Sequence, residues 1–121
     1  AASDVYKRQP VNQVVHDVSS GGIELLNIFY VSNLINCLKH LQDENIKVFG
    51  LSEHADMSYQ NCNFENSTEI IMGSEEFGIR KKTAEKCDLL INLSDNRNFK
   101  SFNVAVATGI ILSEVVRQRK C

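Results

Sequence analysis

Apolar positions recur at helical spacing between residues 32 and 44, where Leu34, Leu38 and Leu41, together with Ile35, fall on one face of a 3.6-residue repeat. Asn33 stands where an N-cap belongs, and Asn45 can end the helix. "KVFGLS" (47–52) then reads as a short buried strand, followed by a polar stretch through Asn66. "TEIIM" (68–72), rich in β-branched residues and closed by Gly73, predicts a second strand. Past the loop "GSEEFG", the pattern gives a short charged helix over 79–86 and a third strand, "LLINL" (89–93). Strands separated by helices predict an α/β domain with a parallel sheet flanked by helices on both faces.

The last segment, "SFNVAVATGIILSEVVRQR" (101–119), is a long helix with a polar first turn. Val104, Ala105, Val106, Ala107, Ile110, Ile111 and Leu112 point in every direction around its axis, which predicts burial of the first half on all sides. Only Glu114 and the Arg117-Gln118-Arg119 end read as exposed. Such a helix either fills the centre of its domain or is shared with a second subunit, a reasonable source of extra burial in so short a chain.

Composition changes little. The chain has 121 residues, 43% hydrophobic and 23% charged with a net charge of -2, the proportions of one ordinary domain. No stretch reaches the roughly 20 apolar residues of a membrane span, and no basic segment precedes a signal-peptide core, so a cytoplasmic protein is expected. Cys37, Cys62, Cys87 and Cys121 stand at least 25 residues apart with no C-x-x-C pair, and His16, His40 and His54 are equally scattered. Reduced thiols and no metal site are the expectation. Two basic clusters, Arg80-Lys81-Lys82 and Arg117, Arg119 and Lys120, read as solvated helix faces or as phosphate contacts. The first nine residues, "AASDVYKRQ", can be encoded codon by codon by a transposon-type sequencing adapter. Residues 1–9 are therefore expected to be foreign, with the native sequence in 10–121 and Pro10 at its start.

Gly73 at a strand end and Asn103 at a helix start are typical of ligand-facing edges in open α/β sheets. They read equally well as a turn residue and, with Ser101 as the alternative, an N-cap. Gly73 and Gly78 have G-x-x-x-x-G spacing, but Ile79-Arg80 replaces the Lys-Ser/Thr of a phosphate loop. No G-x-G-x-x-G occurs, and no serine sits in a nucleophile elbow.

"IIMGSEEFGI", "CDLLINL" and "SFNVAVATGIILSEVVRQR" together carry a resemblance. In this order and spacing they resemble the C-terminal half of the SpoU/TrmH family of RNA ribose 2'-O-methyltransferases, within it the group acting on guanosine of large-subunit rRNA. That family has a Gly-Ser/Ala-Glu loop, an Ile-Pro-Met loop, and Ser-Leu-Asn-Val-Ser-Val-Ala leading into a helix that ends on Arg-Gln-Arg. Upstream, "VSSGGIELLNIFYVSNL" is similar to a further segment, so the likeness runs from about Val14 to Lys120.

The resemblance implies a SPOUT fold with a C-terminal trefoil knot, an exception to the rule against threading. It also implies S-adenosylmethionine bound in a bent pose, a homodimer, and an RNA substrate, ribosomal rather than transfer RNA. By match, Gly73, Leu93 and Phe102 take cofactor-contacting positions, with Ser74, Glu75 and Ala105 lining the same loops. Glu75 and Asn103 match the residues that support catalysis, and Arg80, Lys81 and Lys82 lie where they could touch RNA phosphates. The family's first motif, which supplies an arginine thought to activate the ribose hydroxyl, is not in this sequence. An N-terminally truncated catalytic domain with an unpaired sheet edge, inactive alone, is therefore expected. Ser94 and Asp95 depart from Ile-Pro-Met and put cofactor affinity in question. The competing reading is a non-catalytic RNA-binding or dimerisation module of the same fold, which would show no saturable cofactor binding.

Overall fold

The computed structural model describes the backbone of residues 2–4, together with residues 27, 29–74, 78–93 and 103–120. In chain order the elements are β1 (Ala2–Asp4), β2 (Phe29–Val31), α1 (Leu34–Asp43), β3 (Lys47–Leu51), β4 (Met57–Ser58), a 3-10 turn (Tyr59–Asn61), β5 (Thr68–Ile71), α2 (Lys81–Lys86), β6 (Leu89–Asn92) and α3 (Val104–Arg119). Asn33 caps α1 by accepting from the Asn36 amide at 3.1 Å. Asn45, at φ 64°, takes the left-handed conformation that asparagine tolerates, and so turns the chain from α1 toward β3.

Four strands form a parallel sheet in the order β4-β6-β3-β5. Phe49 pairs with Leu89 on one side and Ile70 on the other. Asp88 holds this register: its Oδ2 accepts from the Val48 amide at 2.7 Å, and its own amide donates to the Val48 carbonyl at 2.8 Å. Because strand side chains alternate, β3 sends Val48 to one face and Phe49 to the other. Val48 and Ile71 pack with Leu38 of α1, joined by Ile79 and Cys87 beside α2. Phe49 and Ile91 pack with Ile111 of α3 and with Phe64, the two phenylalanine rings meeting edge to face at 4.8 Å. Gly50 marks the closest approach on the α1 side, since a Cβ there would lie 2.9 Å from Cys87 Sγ and Leu90 Cδ2. The α/β architecture, with a parallel sheet flanked by helices, is as expected.

Three expectations change. The polar stretch after β3 contains β4, which pairs with β6, and supplies Cys62 and Phe64 to the core. Its apolar residues are too sparse to show a period. The helix expected over 79–86 begins only at Lys81, because Arg80 has extended backbone and serves as its cap. On α3, Val106, Leu112 and Val116 are 51–53% exposed, so the helix is not buried all round within this chain. Of the residues expected in solvent, Arg117 and Arg119 are exposed, Gln118 is half-buried and Glu114 is buried. Glu114 is only 8% exposed and receives Arg117 Nε at 2.8 Å from its Oε1 and 2.9 Å from its Oε2. Those bonds hold the Glu114 carboxyl below the usual glutamate range. Gln118 accepts from the Phe64 amide and donates to the Cys62 carbonyl, while Arg119 donates to the Phe64 and Asn66 carbonyls. The helix end thus clasps the segment that carries Phe64.

Among the described strands, β4 and β5 each have a neighbour on one side only. β1, within the nine residues expected to be foreign, pairs in parallel with β2 to form a separate two-stranded sheet. On border strand β5, Glu69 shares the Val48 register position, and its Oε1 is buried without a hydrogen-bond partner. Burial pushes its carboxyl above the ordinary 4.5. The folded chain therefore holds this proton more tightly than the unfolded chain. The resulting stabilisation is full below the ordinary value and is lost as pH rises through the folded one. Glu69→Gln is expected to remove that loss, giving a higher melting temperature than wild type at neutral pH and no gain in acid. Thermal unfolding of both chains across that range checks it.

Candidate functional site

The carboxyl ends of β3, β5 and β6 lie side by side, the edge at which open parallel sheets hold ligands. Met72 and Gly73 continue β5, Ser52 continues β3, and Leu93 follows β6. The Ser52 amide donates to the Ile91 carbonyl at 2.9 Å, which continues the β3–β6 ladder to the strand ends.

Gly73 opens a loop that folds straight back on itself. Ser74 and Gly78 exchange two backbone hydrogen bonds, at 3.2 and 2.8 Å, and Gly78 has a φ of 71°. A Cβ on Gly73 would lie 1.9 Å from the Gly78 carbonyl carbon, so only glycine fits. Leu93 packs, half-buried, against the Phe49–Ile91–Ile111 cluster, as does Met72.

The second turn of α3 reaches the end of β5. Asn103 Oδ1 accepts from the Ala105 amide at 2.8 Å, and the Asn103 carbonyl accepts from Ala107. Thr108 contacts Met72 Sδ at 3.1 Å, which sets the α3 start beside the end of β5. Ala105 is exposed there. Gly73, Ser74, Leu93, Asn103 and Ala105 therefore belong to three chain segments joined through Met72 and one core cluster. Glu75 and Phe102 lie outside the described residues, as do Ser94 and Asp95.

Arg80, Lys81 and Lys82 are all exposed at the start of α2, directly after this loop. Among the described thiols, Cys62 and Cys87 are poorly suited to nucleophilic chemistry. Burial and the Asp88 carboxylate push Cys87 up to about 11, and burial also raises Cys62. Among the described residues, no group of three or more histidine, cysteine or acidic side chains could hold a metal ion. Nor is any described helix long and apolar enough to cross a membrane.

Sequence reading missed Asn92, the last residue of β6. It is 9% exposed, its Nδ2 donates to the Ala55 carbonyl at 2.5 Å, and its Oδ1 is buried without a partner. No motif marks it; only its place at the end of "LLIN" gives a signal.

The sequence model of the SpoU rRNA Methylase family matches residues 3–113. The chain belongs to the SpoU family. Among curated SpoU-type relatives, the 23S rRNA (guanosine-2'-O-)-methyltransferase RlmB of Xanthomonas campestris is 34% identical over 113 residues, 93% of this chain and 45% of the relative. The protein of the same name from Blochmanniella floridana is 39% identical over 110 residues, covering 91% of this chain and 43% of its own length. The chain thus spans less than half the length of these SpoU relatives. Among solved structures, the SpoU methyltransferase AviRb from Streptomyces viridochromogenes in complex with AdoMet superposes with a TM-score of 0.81 at 24% identity, over 98% of this chain and 48% of that one. The A. aeolicus TrmH/SpoU tRNA modifying enzyme gives 0.80 at 24% identity, over 98% and 59%. These two likenesses concern the SpoU fold.

Proposed function

We propose that this chain is the cofactor-binding end of an S-adenosylmethionine-dependent RNA ribose 2'-O-methyltransferase acting on ribosomal RNA in the cytoplasm. The observation that supports the reading is the contact of Thr108 of α3 with Met72, where β5 runs into the Gly73 loop, with Met72 and Leu93 packed on one core cluster. Membership of the SpoU family and the printed activity of the RlmB relatives support it.

The residues present fit the cofactor. The edge offers a close chain approach that admits only glycine at Gly73 and apolar walls at Met72 and Leu93. When bound, S-adenosylmethionine supplies an electrophilic methyl group on sulfur. Transfer to a ribose hydroxyl is an in-line displacement, so the protein must chiefly supply alignment and a route for the hydroxyl proton. Gly73, Ser74, Leu93, Phe102 and Ala105 would hold the cofactor, and Glu75 and Asn103 would support the reacting geometry. In this structure Asn103 Oδ1 also caps α3, the helix whose Thr108 contacts Met72. The proton acceptor comes from the upstream first motif.

The domain is N-terminally truncated, with the C-terminal catalytic part in 10–121, a trefoil knot formed by its last crossings, and adapter-derived residues in 1–9. Sequencing the source locus tests the last point: genomic codons for residues 1–9 upstream of Pro10 would overturn it. The outer face of α3 supports a homodimer. Val106, Leu112 and Val116 stand exposed there, and a shallow hollow runs between Tyr59, Val106, Gly109, Ile110 and Ser113. A second copy of this face would complete the burial that its apolar side chains require.

Calorimetric titration of the full-length gene product with S-adenosylmethionine tests the reading directly. Saturable binding is expected, and its absence would favour the non-catalytic module. Replacing Arg80, Lys81 and Lys82 together by glutamine is expected to weaken RNA affinity and flatten its salt dependence while leaving cofactor affinity unchanged. Parallel loss of both affinities would mean that the patch serves structure.

A further inference from the structure

Thr108 stands on the face of α3 that packs against the sheet, in helical register with Ile111 and Val115. An aliphatic side chain would suit that face better. A threonine in mid-helix turns its hydroxyl back on the carbonyl four residues earlier, which does nothing for helix stability and tends to bend the helix. Thr108 Oγ1 lies 2.7 Å from the Val104 carbonyl in this way, and 3.1 Å from Met72 Sδ as well. One hydroxyl thus touches both the first residue of α3 and the residue that follows β5.

Met72 and Gly73 are gripped from opposite faces of the sheet. Met72 packs on the α3 side with Phe49 and Ile91, and alternation turns Gly73 toward α1. There a Cβ on Gly73 would lie 2.1 Å from the Gly78 carbonyl oxygen, and the paired hydrogen bonds between Ser74 and Gly78 fix that approach. The contact from Thr108 is of a different kind, because it joins two elements. It relates the Gly73 loop to the start of α3, where Asn103 and Ala105 are exposed.

Resting on the cofactor reading above, we infer that Thr108 is a positioning residue: acting through Met72, its hydroxyl sets the spacing between the Gly73 loop and the start of α3, and thereby the affinity for S-adenosylmethionine. Methionine is unbranched and adaptable, so without the hydroxyl its side chain can settle elsewhere in the same core. Loss of the contact therefore shifts the loop and leaves the core packed.

The test uses the full-length gene product, with calorimetric titration of S-adenosylmethionine and urea unfolding measured on each variant. Thr108→Val keeps the shape and removes the hydroxyl. It is expected to weaken cofactor binding about tenfold, the size of one lost polar contact, with a urea midpoint no lower than wild type. Thr108→Ser and Thr108→Ala differ by the hydroxyl itself, and the serine variant is expected to bind about tenfold more tightly than the alanine one, which covers a valine variant that does not fold. In a Met72→Leu background, Thr108→Val is expected to cost no more than about twofold further, since the sulfur contact is already gone. The inference is overturned by wild-type affinity in the valine variant, by serine and alanine variants that bind alike, by an affinity loss that comes with a lower urea midpoint, or by an undiminished valine effect in the Met72→Leu background. Each of these leaves the cofactor reading standing. Failure of wild type to bind S-adenosylmethionine removes both.

Discussion

Gly73→Ala is expected to abolish useful cofactor binding in the full-length gene product, lowering affinity for S-adenosylmethionine by roughly 100-fold or more. The physical reason is the return path of the loop. The new Cβ would sit 1.9 Å from the Gly78 carbonyl carbon and 2.2 Å from the Ile79 nitrogen. Both obstacles are backbone, so no side-chain rotation relieves the overlap. The paired hydrogen bonds between Ser74 and Gly78 must open, and the wall of the candidate site moves with them. Overpacking of this kind typically costs about 1–3 kcal/mol of stability as well. Calorimetry on the soluble variant reads the first effect and urea unfolding the second. Affinity within a factor of a few of wild type would mean that the loop does not shape the site.

Phe64→Ala carries the largest expected stability effect. Phe64 is fully buried, packs edge to face on Phe49, and comes from a segment with no secondary structure of its own. Its backbone amide and carbonyl are held by Gln118 and Arg119, so the neighbouring chain cannot easily collapse into the space left behind. A large aromatic truncation in a core costs about 3–5 kcal/mol, and poorly relaxing sites fall at the upper end. Domains of this class have only about 5–15 kcal/mol in total. Urea midpoints for wild type and variant give the difference, and a loss below about 1 kcal/mol would show that Phe64 is not part of the core in solution. Because α3 ends on the same segment, its C-terminal turn should also lose amide-exchange protection.

Elements with a strong period were legible. Leu34, Leu38 and Leu41 announced α1, its asparagine cap followed from position alone, and "VFG" and "TEII" gave the central strand β3 and its border neighbour β5. Where the period was weak, reading failed. Met57 and Ser58 make too short a strand to show alternation, and β4 exists because β6 offers it a backbone partner. Glu114 read as solvent-facing because charged side chains usually are, and Arg117 and Arg119 of the same end are indeed exposed. Glu114 is buried because the Arg117 guanidinium satisfies it in place, while the carbonyls of the 62–66 segment hold Gln118 and Arg119.

The candidate site divided in the same way. Gly73, Leu93 and Asn103 could be picked out because their motifs sit at fixed intervals along the chain. Asn92 could not, since an asparagine at a strand end carries no mark of burial. By itself the sequence determined the order of α1, β3, β5, α2, β6 and α3, the α/β class and the family, all of which are written in local period and motif spacing. Only the tertiary structure decided which face each end presents, which polar atoms are paired and which acceptor is left over. Those outcomes depend on contacts between residues far apart in the chain, and no local pattern encodes them.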